Sequence, residues 1–481
     1  MATQITQSQY NTSKQTIRKL YIKVDLLNFD YMMVGSLEGN VISGTININA
    51  NSDLRRSCNI SLVVTDSTFE VEPGGKIWLD KLIRIRVGID DIRTGDIAWT
   101  NMGMYMINQP SYSYDADTHI LSFQGVDLVA RLTGLRNGYV AALGAEDKVI
   151  IPVGQNVREA MIGVLKECNI TRYFISECKN VDGFIQPVPY DMEFEQGATW
   201  WDVIKSLRDI LPSYQAYFDV DGVFIYEPIP TSAAEPVRID LDTWEENVIS
   251  ENVTTDFQSV KNVVEVYGVV HDPQFFCDSD KATVSGNEIN LTVSEDFAKT
   301  EYILIGFVLP SQATGNITIN VNNTGAVNLV NSSGQFITNL DADTYWVASY
   351  QADGTWLFLG HVQAQAVWQD TNPQSPFYVG GSIGEIRLPL YGGDYENIQS
   401  DELALERAKY EIYLRCRLND SISVSTIPIY YADVNWKVNY QPLKSKFINQ
   451  YMIQSISIDL SPAGKQSFNM SRFYPLYPDL T

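Results

Sequence analysis

Residues 42–64, ISGTININANSDLRRSCNISLVV, contain two stretches in which apolar and polar side chains alternate. The apolar or small face of the first stretch consists of Ile42, Gly44, Ile46 and Ile48. The corresponding face of the second stretch, after a turn at 51–53, consists of Cys58, Ile60, Leu62 and Val64. A period of two residues is typical of half-buried β-strands, so this segment predicts two antiparallel strands joined by a turn.

The same alternation continues on both sides of this segment and predicts an antiparallel β-sandwich or barrel over residues 18–140. Its third strand places Ile83 and Ile85 inward and Arg84 outward. Residues 1–17 are polar and contain no apolar stretch, so we expect a flexible N-terminal arm there.

The period changes within residues 141–238. Asn156 and Thr199 are suitable N-caps of helices, because an acidic residue follows each of them three positions later. An Asp-Gly pair at 221–222 stands between β-forming residues and predicts a hairpin. Together these signals predict a small α/β domain.

Strand patterns return over residues 239–271 and 369–481, which together predict a second β-domain. Its helix begins after Ser400 and is expected to bury Leu405 among other residues. Between the two segments, residues 272–368 are rich in Asn, Gly and Thr and predict an inserted β-sandwich module. The predicted fold class is therefore mainly β with α+β parts.

Composition and charge exclude several classes of protein. Hydrophobic residues make up 45% of the 481 residues and charged residues 19%, which excludes a disordered chain. The formal charge is 34 − 58 = −24, and so acidic a surface repels phosphate groups. We therefore expect no sequence-specific binding of nucleic acid. We also expect neither membrane insertion nor secretion, because no apolar run is long enough to span a bilayer and no secretory signal opens the chain.

The sequence offers little catalytic or metal-binding chemistry. The five cysteines form no CxxC pair. The three histidines are scattered, and none has a cysteine or acidic partner at the spacing typical of a metal site. The Asp-x-Asp-Gly at 219–222 resembles the start of a calcium loop, but it lacks the third oxygen ligand and the downstream glutamate. We therefore predict no enzyme, no cofactor and no metal site.

Arg55 and Arg56 follow the turn between the first two strands. Two adjacent guanidiniums can hold a carboxylate through bidentate hydrogen bonds, which makes the pair a candidate contact with a neighbouring subunit. A solvated pair at the edge of the sheet is the alternative.

Trp346 and Trp356 lie on the two arms of a hairpin predicted around Asp353-Gly354 in the inserted module. Flat aromatic rings stack on sugar rings, so the pair is a candidate glycan contact. Their positions on facing arms favour packing in a small β-core instead.

Several stretches, together with the opening segment, resemble the hub proteins of phage tail tips and baseplates. In chain order they are Gly44–Ile48, Asp53–Ile60, Ile77–Lys81, Gly103–Tyr105, Asp127–Gly134, Asp219–Gly222, Arg407–Glu411, Ala432–Asn435 and Phe473–Tyr477. Each motif is short, and the resemblance rests on their shared order over most of 20–270 and 380–478. The module at 272–368 departs from this pattern and looks more like small β-modules of tail and fibre proteins.

The resemblance implies two β-domains of tail-tube type, joined by the α/β domain, in a homotrimer whose six β-domains form a ring. Such a ring adapts a six-fold tail tube to a three-fold tip and surrounds the DNA channel. The implied partners are the tail tube or a distal tail ring above, a spike, fibre or other tip protein below, and the tape measure protein. The implied location is the tail tip or baseplate of the virion, after synthesis in the host cytoplasm.

Two other functions stay open at this point. The first is a carbohydrate-binding adhesin or receptor-binding tail component that acts through the inserted module. The second is a cell-wall hydrolase, which has less support because no pair of carboxylates shows general-acid spacing.

Overall fold

A computed structural model describes residues 5–37, 40–64, 71–114, 119–140, 148–179 and 183–474. The helices are α1 (Gln7–Thr12), α2 (Val157–Glu167), α3 (Trp200–Asp209), α4 (Leu241–Asn247) and α5 (Asp401–Arg415). The strands before the inserted module are β1 (Leu20–Leu27), β2 (Met33–Ser36), β3 (Asn40–Asn49), β4 (Arg56–Val63), β5 (Leu82–Asp90), β6 (Ile97–Tyr114), β7 (His119–Val126), β8 (Val149–Ile151), β9 (Tyr173–Ile175), β10 (Met192–Phe194), β11 (Tyr214–Phe218), β12 (Phe224–Pro228), β13 (Val248–Asp256) and β14 (Val263–Val270).

The strands that follow are β15 (Phe275–Cys277), β16 (Ala282–Ser285), β17 (Glu288–Leu291), β18 (Leu304–Val308), β19 (Ala313–Thr314), β20 (Thr318–Val321), β21 (Val327–Val330), β22 (Asn339–Leu340), β23 (Tyr345–Tyr350), β24 (Trp356–His361), β25 (Gln363–Gln369), β26 (Arg387–Leu390), β27 (Asn419–Thr426), β28 (Lys437–Tyr440), β29 (Asn449–Asp459) and β30 (Gln466–Arg472). The predicted class, mainly β with α+β parts, is confirmed.

Twelve strands form one sheet, and these strands come from both predicted β-domains. Its order is β13-β27-β30-β29-β3-β4-β7-β6-β5-β1-β2, and β28 pairs with β29. The two parts meet where β29 runs antiparallel to β3, with Ile456 opposite Ile48 and Ile458 opposite Ile46. We call strands β1–β7 the first β-block, strands β13 and β27–β30 the second β-block, and the two together the body.

One hydrophobic core serves both blocks of the body. In β3, Gly44, Ile46 and Ile48 are buried, as the alternation predicts, and the side chain of Ile42 lies outside the described part. The second β-block adds further side chains to the same cluster, among them Ile422, Val424, Ile453 and Phe468. Because one cluster holds both blocks, each block depends on the other for its burial.

The α/β part packs on the first β-block through a second cluster, which joins Met104 and Met106 of β6 to α2 and α3. Both predicted helix starts are confirmed. The side chain of Asn156 accepts a hydrogen bond from Arg158 N, and Thr199 forms a capping box with Asp202. The Asp-Gly hairpin also forms, between β11 and β12.

Helix α5 packs on a three-stranded sheet of order β25-β14-β26. It buries Ala404, Ala408 and Ile412. Leu405 is only half-buried, so its predicted inward position is wrong. Successive helical residues differ by about 100° in direction, and the helix turns Ala404 rather than Leu405 toward the sheet.

The inserted module contains an eight-stranded sheet of order β15-β18-β23-β24-β21-β20-β17-β16 and a small sheet of β19 and β22. Its core is a separate cluster of side chains between Cys277 and Trp356. Strand β25 pairs with β14 outside this sheet, so the strands of the module itself end at His361.

The arm expected to be flexible at residues 1–17 is docked over its described part, residues 5–17, and contains the short helix α1. Thr6 and Gln9 form the capping box that begins α1. The Gln9 amide donates to Trp99 O at 3.0 Å, and the Tyr10 hydroxyl donates to Asp240 Oδ2 at 2.5 Å. Helix α1 docks through polar side chains, which explains why its sequence resembles that of a disordered arm.

Candidate assembly interfaces

Arg55 and Arg56 lie at the start of β4, where three parts of the chain meet. The Arg56 guanidinium donates to Asp433 Oδ2 at 2.5 Å and to Phe218 O at 2.7 Å. The Arg55 guanidinium donates to Gln215 Oε1 at 2.7 Å. The two arginines are 4% and 1% exposed, so neither forms a solvated edge pair. Arg56 thus binds a carboxylate of its own chain, Asp433, where the sequence analysis offered a neighbouring subunit as the candidate source.

Burial shifts the pKa of two groups at this junction. It lowers the pKa of Arg55 to about 10, although Tyr217, whose ring centroid lies 3.6 Å from the guanidinium carbon, acts in the opposite direction. It also raises the pKa of Asp127 to about 6, against the hydrogen bonds that Asp127 accepts from Val129 N and Arg56 N. The junction is a closed structural contact between the two β-blocks and the α/β part. Asp433 was missed because it lies 377 residues from Arg56 and no local pattern connects them.

Trp346 and Trp356 belong to the core of the inserted module. Trp356 is fully buried and Trp346 is 9% exposed, so neither presents a ring face to a sugar. The Trp346 indole donates to Asp341 O at 3.0 Å, which satisfies its N–H inside the core. The structure supports core packing and removes the aromatic platform on which the predicted glycan contact depended.

The chain enters and leaves the module through a neck of two adjacent segments. His271 N donates to Val362 O at 2.8 Å. Asp401 Oδ2, on the first residue of α5, accepts from His361 N at 3.0 Å and contacts His361 Nδ1 at 2.7 Å. Gly360 has φ +100°, and a Cβ there would lie 2.1 Å from the Asp401 carboxyl group, so this approach requires glycine. Asp401 therefore fixes the module to the helix that follows it.

The twelve-stranded sheet ends in two strands that each have one partner: β13 pairs with β27, and β2 pairs with β1. Within the described part of the chain, no further strand pairs the backbone N–H and C=O groups at the outer edge of either strand. Exposed large apolar side chains lie at both ends, namely Met32, Met33, Val34, Ile249 and Val253. Such edges attract other strands, so they are candidate surfaces for assembly.

The described residues offer little reactive chemistry. No three or more of their His, Cys, Asp and Glu side chains are grouped so as to hold a metal ion. Burial raises the pKa of the Cys58, Cys168, Cys178 and Cys416 thiols to about 12, which suppresses the nucleophilic thiolate. Residues 380–384 match Gly-x-Ser-x-Gly, but they form turns ahead of β26 rather than the strand-turn-helix that a nucleophile elbow requires. None of the described helices combines the length and apolar character needed to cross a membrane.

The chain is similar to several solved structures at low sequence identity. The 43 kDa tail protein of prophage MuSo2 from Shewanella oneidensis is similar over 94% of this chain and 98% of its own length, with a TM-score of 0.50 and 11% identity. This chain has the fold of a phage tail protein. The tail protein from Neisseria meningitidis MC58 has a TM-score of 0.47 and 9% identity, with 95% of this chain and 99% of that chain covered. Prophage tail protein gp18 from Listeria monocytogenes EGD-e has a TM-score of 0.46 and 9% identity, with 93% and 94% covered.

Sequence comparison gives one match, which covers only part of the chain. A family model described as a domain of unknown function (DUF5048) matches residues 374–477, the part that contains α5 and strands β26–β30. No curated protein matches the chain.

Proposed function

We propose that this chain is a structural protein of a phage tail and acts as its hub, a homotrimer that joins the six-fold tail tube to the three-fold tail tip. The observation that carries the proposal is the shared sheet, in which two β-blocks are joined edge to edge through β3 and β29. Three copies would bring together 3 × 2 = 6 β-blocks, which suits a six-fold partner on one side and a three-fold partner on the other.

Neighbouring subunits in this hub pair at the free edges of the sheet. The exposed apolar residues at both ends support this, because permanent interfaces are more apolar than the remaining surface. Pairing also covers the edges, which would otherwise recruit unrelated strands.

The hub surrounds the DNA channel with an acidic wall. Three copies carry 3 × −24 = −72 formal charges, and carboxylates facing the lumen let DNA slide without salt-dependent binding to its phosphates. A trimer structure whose lumen is lined by lysines in register with phosphates would contradict this part of the proposal.

The partners follow from the position of the hub. We propose that the tail tube or a distal tail ring binds above, and that a spike, fibre or other tip protein binds below. The tape measure protein contacts the hub from the channel. The location is the tail tip or baseplate of the virion, and the role is structural rather than enzymatic, in keeping with the suppressed thiols and the buried junction described above.

The test is the mass and shape of the purified chain, by light scattering and negative-stain imaging. The proposal expects a particle of 3 × 54.1 ≈ 162 kDa with a central hole. A compact particle of 54.1 kDa, which persists after tail-tube protein is added, would refute it.

A further inference from the structure

Residues 441–448, QPLKSKFI, form the turn between β28 and β29, which we call the finger. Its apolar side chains Leu443, Phe447 and Ile448 are 66%, 75% and 52% exposed. Ser445 shapes the turn, because its N–H donates to Pro442 O at 2.8 Å and its Oγ accepts from Phe447 N at 3.0 Å. A hydrogen-bonded turn that presents three large apolar side chains to solvent marks an interaction surface.

The finger is anchored to β13 through Glu251. Glu251 Oε1 accepts from Leu443 N at 2.8 Å, and Glu251 Oε2 accepts from the Tyr440 hydroxyl at 2.6 Å. Val253 lies two positions after Glu251, so the two side chains leave β13 on the same face. Ile249 precedes them in a bulge, where the register shifts between Val248 and Ser250. Ile249 and Val253 are about half exposed, and the two hydrogen bonds of Glu251 bring the finger close to this part of β13.

This face of β13 is an extension of the core face of the sheet. Val253 lies opposite Ile422 and Glu251 lies opposite Val424, and residues directly opposite each other share a face. Ile422 and Val424 are buried in the core of the body, whereas Val253 is exposed. The core face therefore continues past the last covered strand onto β13, whose outer edge no described strand pairs.

The charge of the finger indicates its partner. Lys444 and Lys446 are exposed at its tip, whereas the whole chain carries −24. A second copy of this chain supplies both things that the surface needs, an acidic surface for the lysines and a free strand edge for β13. DNA or an anionic lipid would match the lysines but would offer no strand to pair with β13.

We propose that the finger and β13 bind a second copy of this chain. Strand β13 pairs with a free strand edge of the neighbour, and Leu443 and Phe447 pack on that neighbour while Lys444 and Lys446 face its carboxylates. This inference rests on the proposed trimer and names the surface that holds it together.

The experiment compares the association of the full-length wild type with that of two double variants by light scattering over a concentration series. Leu443→Ser with Phe447→Ser is expected to raise the dissociation constant at least about tenfold, because two large apolar side chains lose their burial. Lys444→Glu with Lys446→Glu is expected to weaken association too, and this effect should shrink at high salt. The matched control is Phe336→Ser, which removes a 42% exposed aromatic from the module and should leave association unchanged.

The outcomes separate this inference from the proposed function. A wild type that stays monomeric, alone and with tail-tube protein, refutes the trimer and this surface with it. A wild-type trimer together with an unchanged Leu443→Ser/Phe447→Ser trimer of equal thermal stability leaves the hub standing and overturns the inference. A variant that still trimerises but no longer binds tail-tube protein also overturns it, because the finger would then face that other protein.

Discussion

The body and the inserted module bury their cores in different ways. In the body, one cluster joins side chains from Val24 on β1 to Met470 on β30, whereas the cluster of the module closes between Cys277 and Trp356. Ion pairs differ as well. Asp25 of the body is bound by Arg84 and Arg86, whereas His361 of the module contacts Asp401, which lies outside the module, at 2.7 Å.

This difference indicates that the two β-blocks cannot be stable without each other, whereas the module is a self-contained unit held at its neck. A substitution in the core of the body should therefore lower the unfolding stability of both blocks. A substitution in the core of the module should lower the stability of the module alone.

The largest expected effect is that of Trp356→Ala in the module. The indole is fully buried and its ring centroid lies 5.2 Å from that of Tyr350, so truncation should cost about 3–5 kcal/mol of module stability. Scanning calorimetry should show a module transition at lower temperature and an unchanged body transition. A parallel fall of both transitions would mean that the two units unfold together.

Arg56→Met should have a somewhat smaller effect, confined to the body. The substitution leaves Asp433 and Phe218 O without their buried donor, and breaking such a contact costs about 3 kcal/mol. Urea unfolding should show one weakened body transition for both blocks. Arg93→Met is the control, because the Arg93 side chain is 60% exposed, and a comparable loss there would contradict the role of the junction.

The Asp25 carboxylate predicts how body stability depends on pH. Burial favours its protonated form, but hydrogen bonds from Arg86 and Arg84 outweigh burial and lower the pKa of Asp25 below 3.8. A carboxyl group whose folded pKa is lowered stabilises the fold above its unfolded pKa, and this stability is lost as pH falls through the folded value. The advantage of the wild type over Asp25→Asn should therefore shrink as the pH falls below about 3.8, as followed by thermal unfolding. A constant difference from pH 6 to pH 2 would contradict this account.

The smallest effect is expected when residues 272–361 are replaced by a short Gly-Ser linker. Since His271 N lies 2.8 Å from Val362 O, the cut ends are adjacent and a short linker closes them with little strain. The unfolding free energy of the body should change by no more than about 1 kcal/mol. Aggregation of the shortened chain would show that the body needs the module.

Local structure was largely predictable from the sequence. The alternation around Ile46 and Cys58 shows which side chains are buried, and the caps at Asn156 and Thr199 locate two helices. These signals are short-range, because propensity and capping depend on neighbours within a few residues.

The long-range arrangement was not predictable in the same way. Asn47 and Ser457 pair across the two blocks although 410 residues separate them, and the periodicity of a strand does not identify its partner. The same limit applies to Arg56, whose adjacency to Arg55 indicated a carboxylate partner but not that Asp433 would provide it. Helix α1 shows a second limit of sequence-based prediction. Because it docks through polar side chains, its sequence lacks the apolar stripe by which a packed helix is recognised.

The pairing of β3 with β29 has a consequence for synthesis. The ribosome makes β3 among the first fifty residues, but its partner residues 455–459 come near the end of the 481-residue chain. The module, whose cluster closes at Trp356, is complete much earlier. During most of translation the nascent chain therefore holds an open strand edge next to an unfinished core, a state that is prone to aggregate. A stop codon before β29 should yield insoluble material rather than a shorter folded protein.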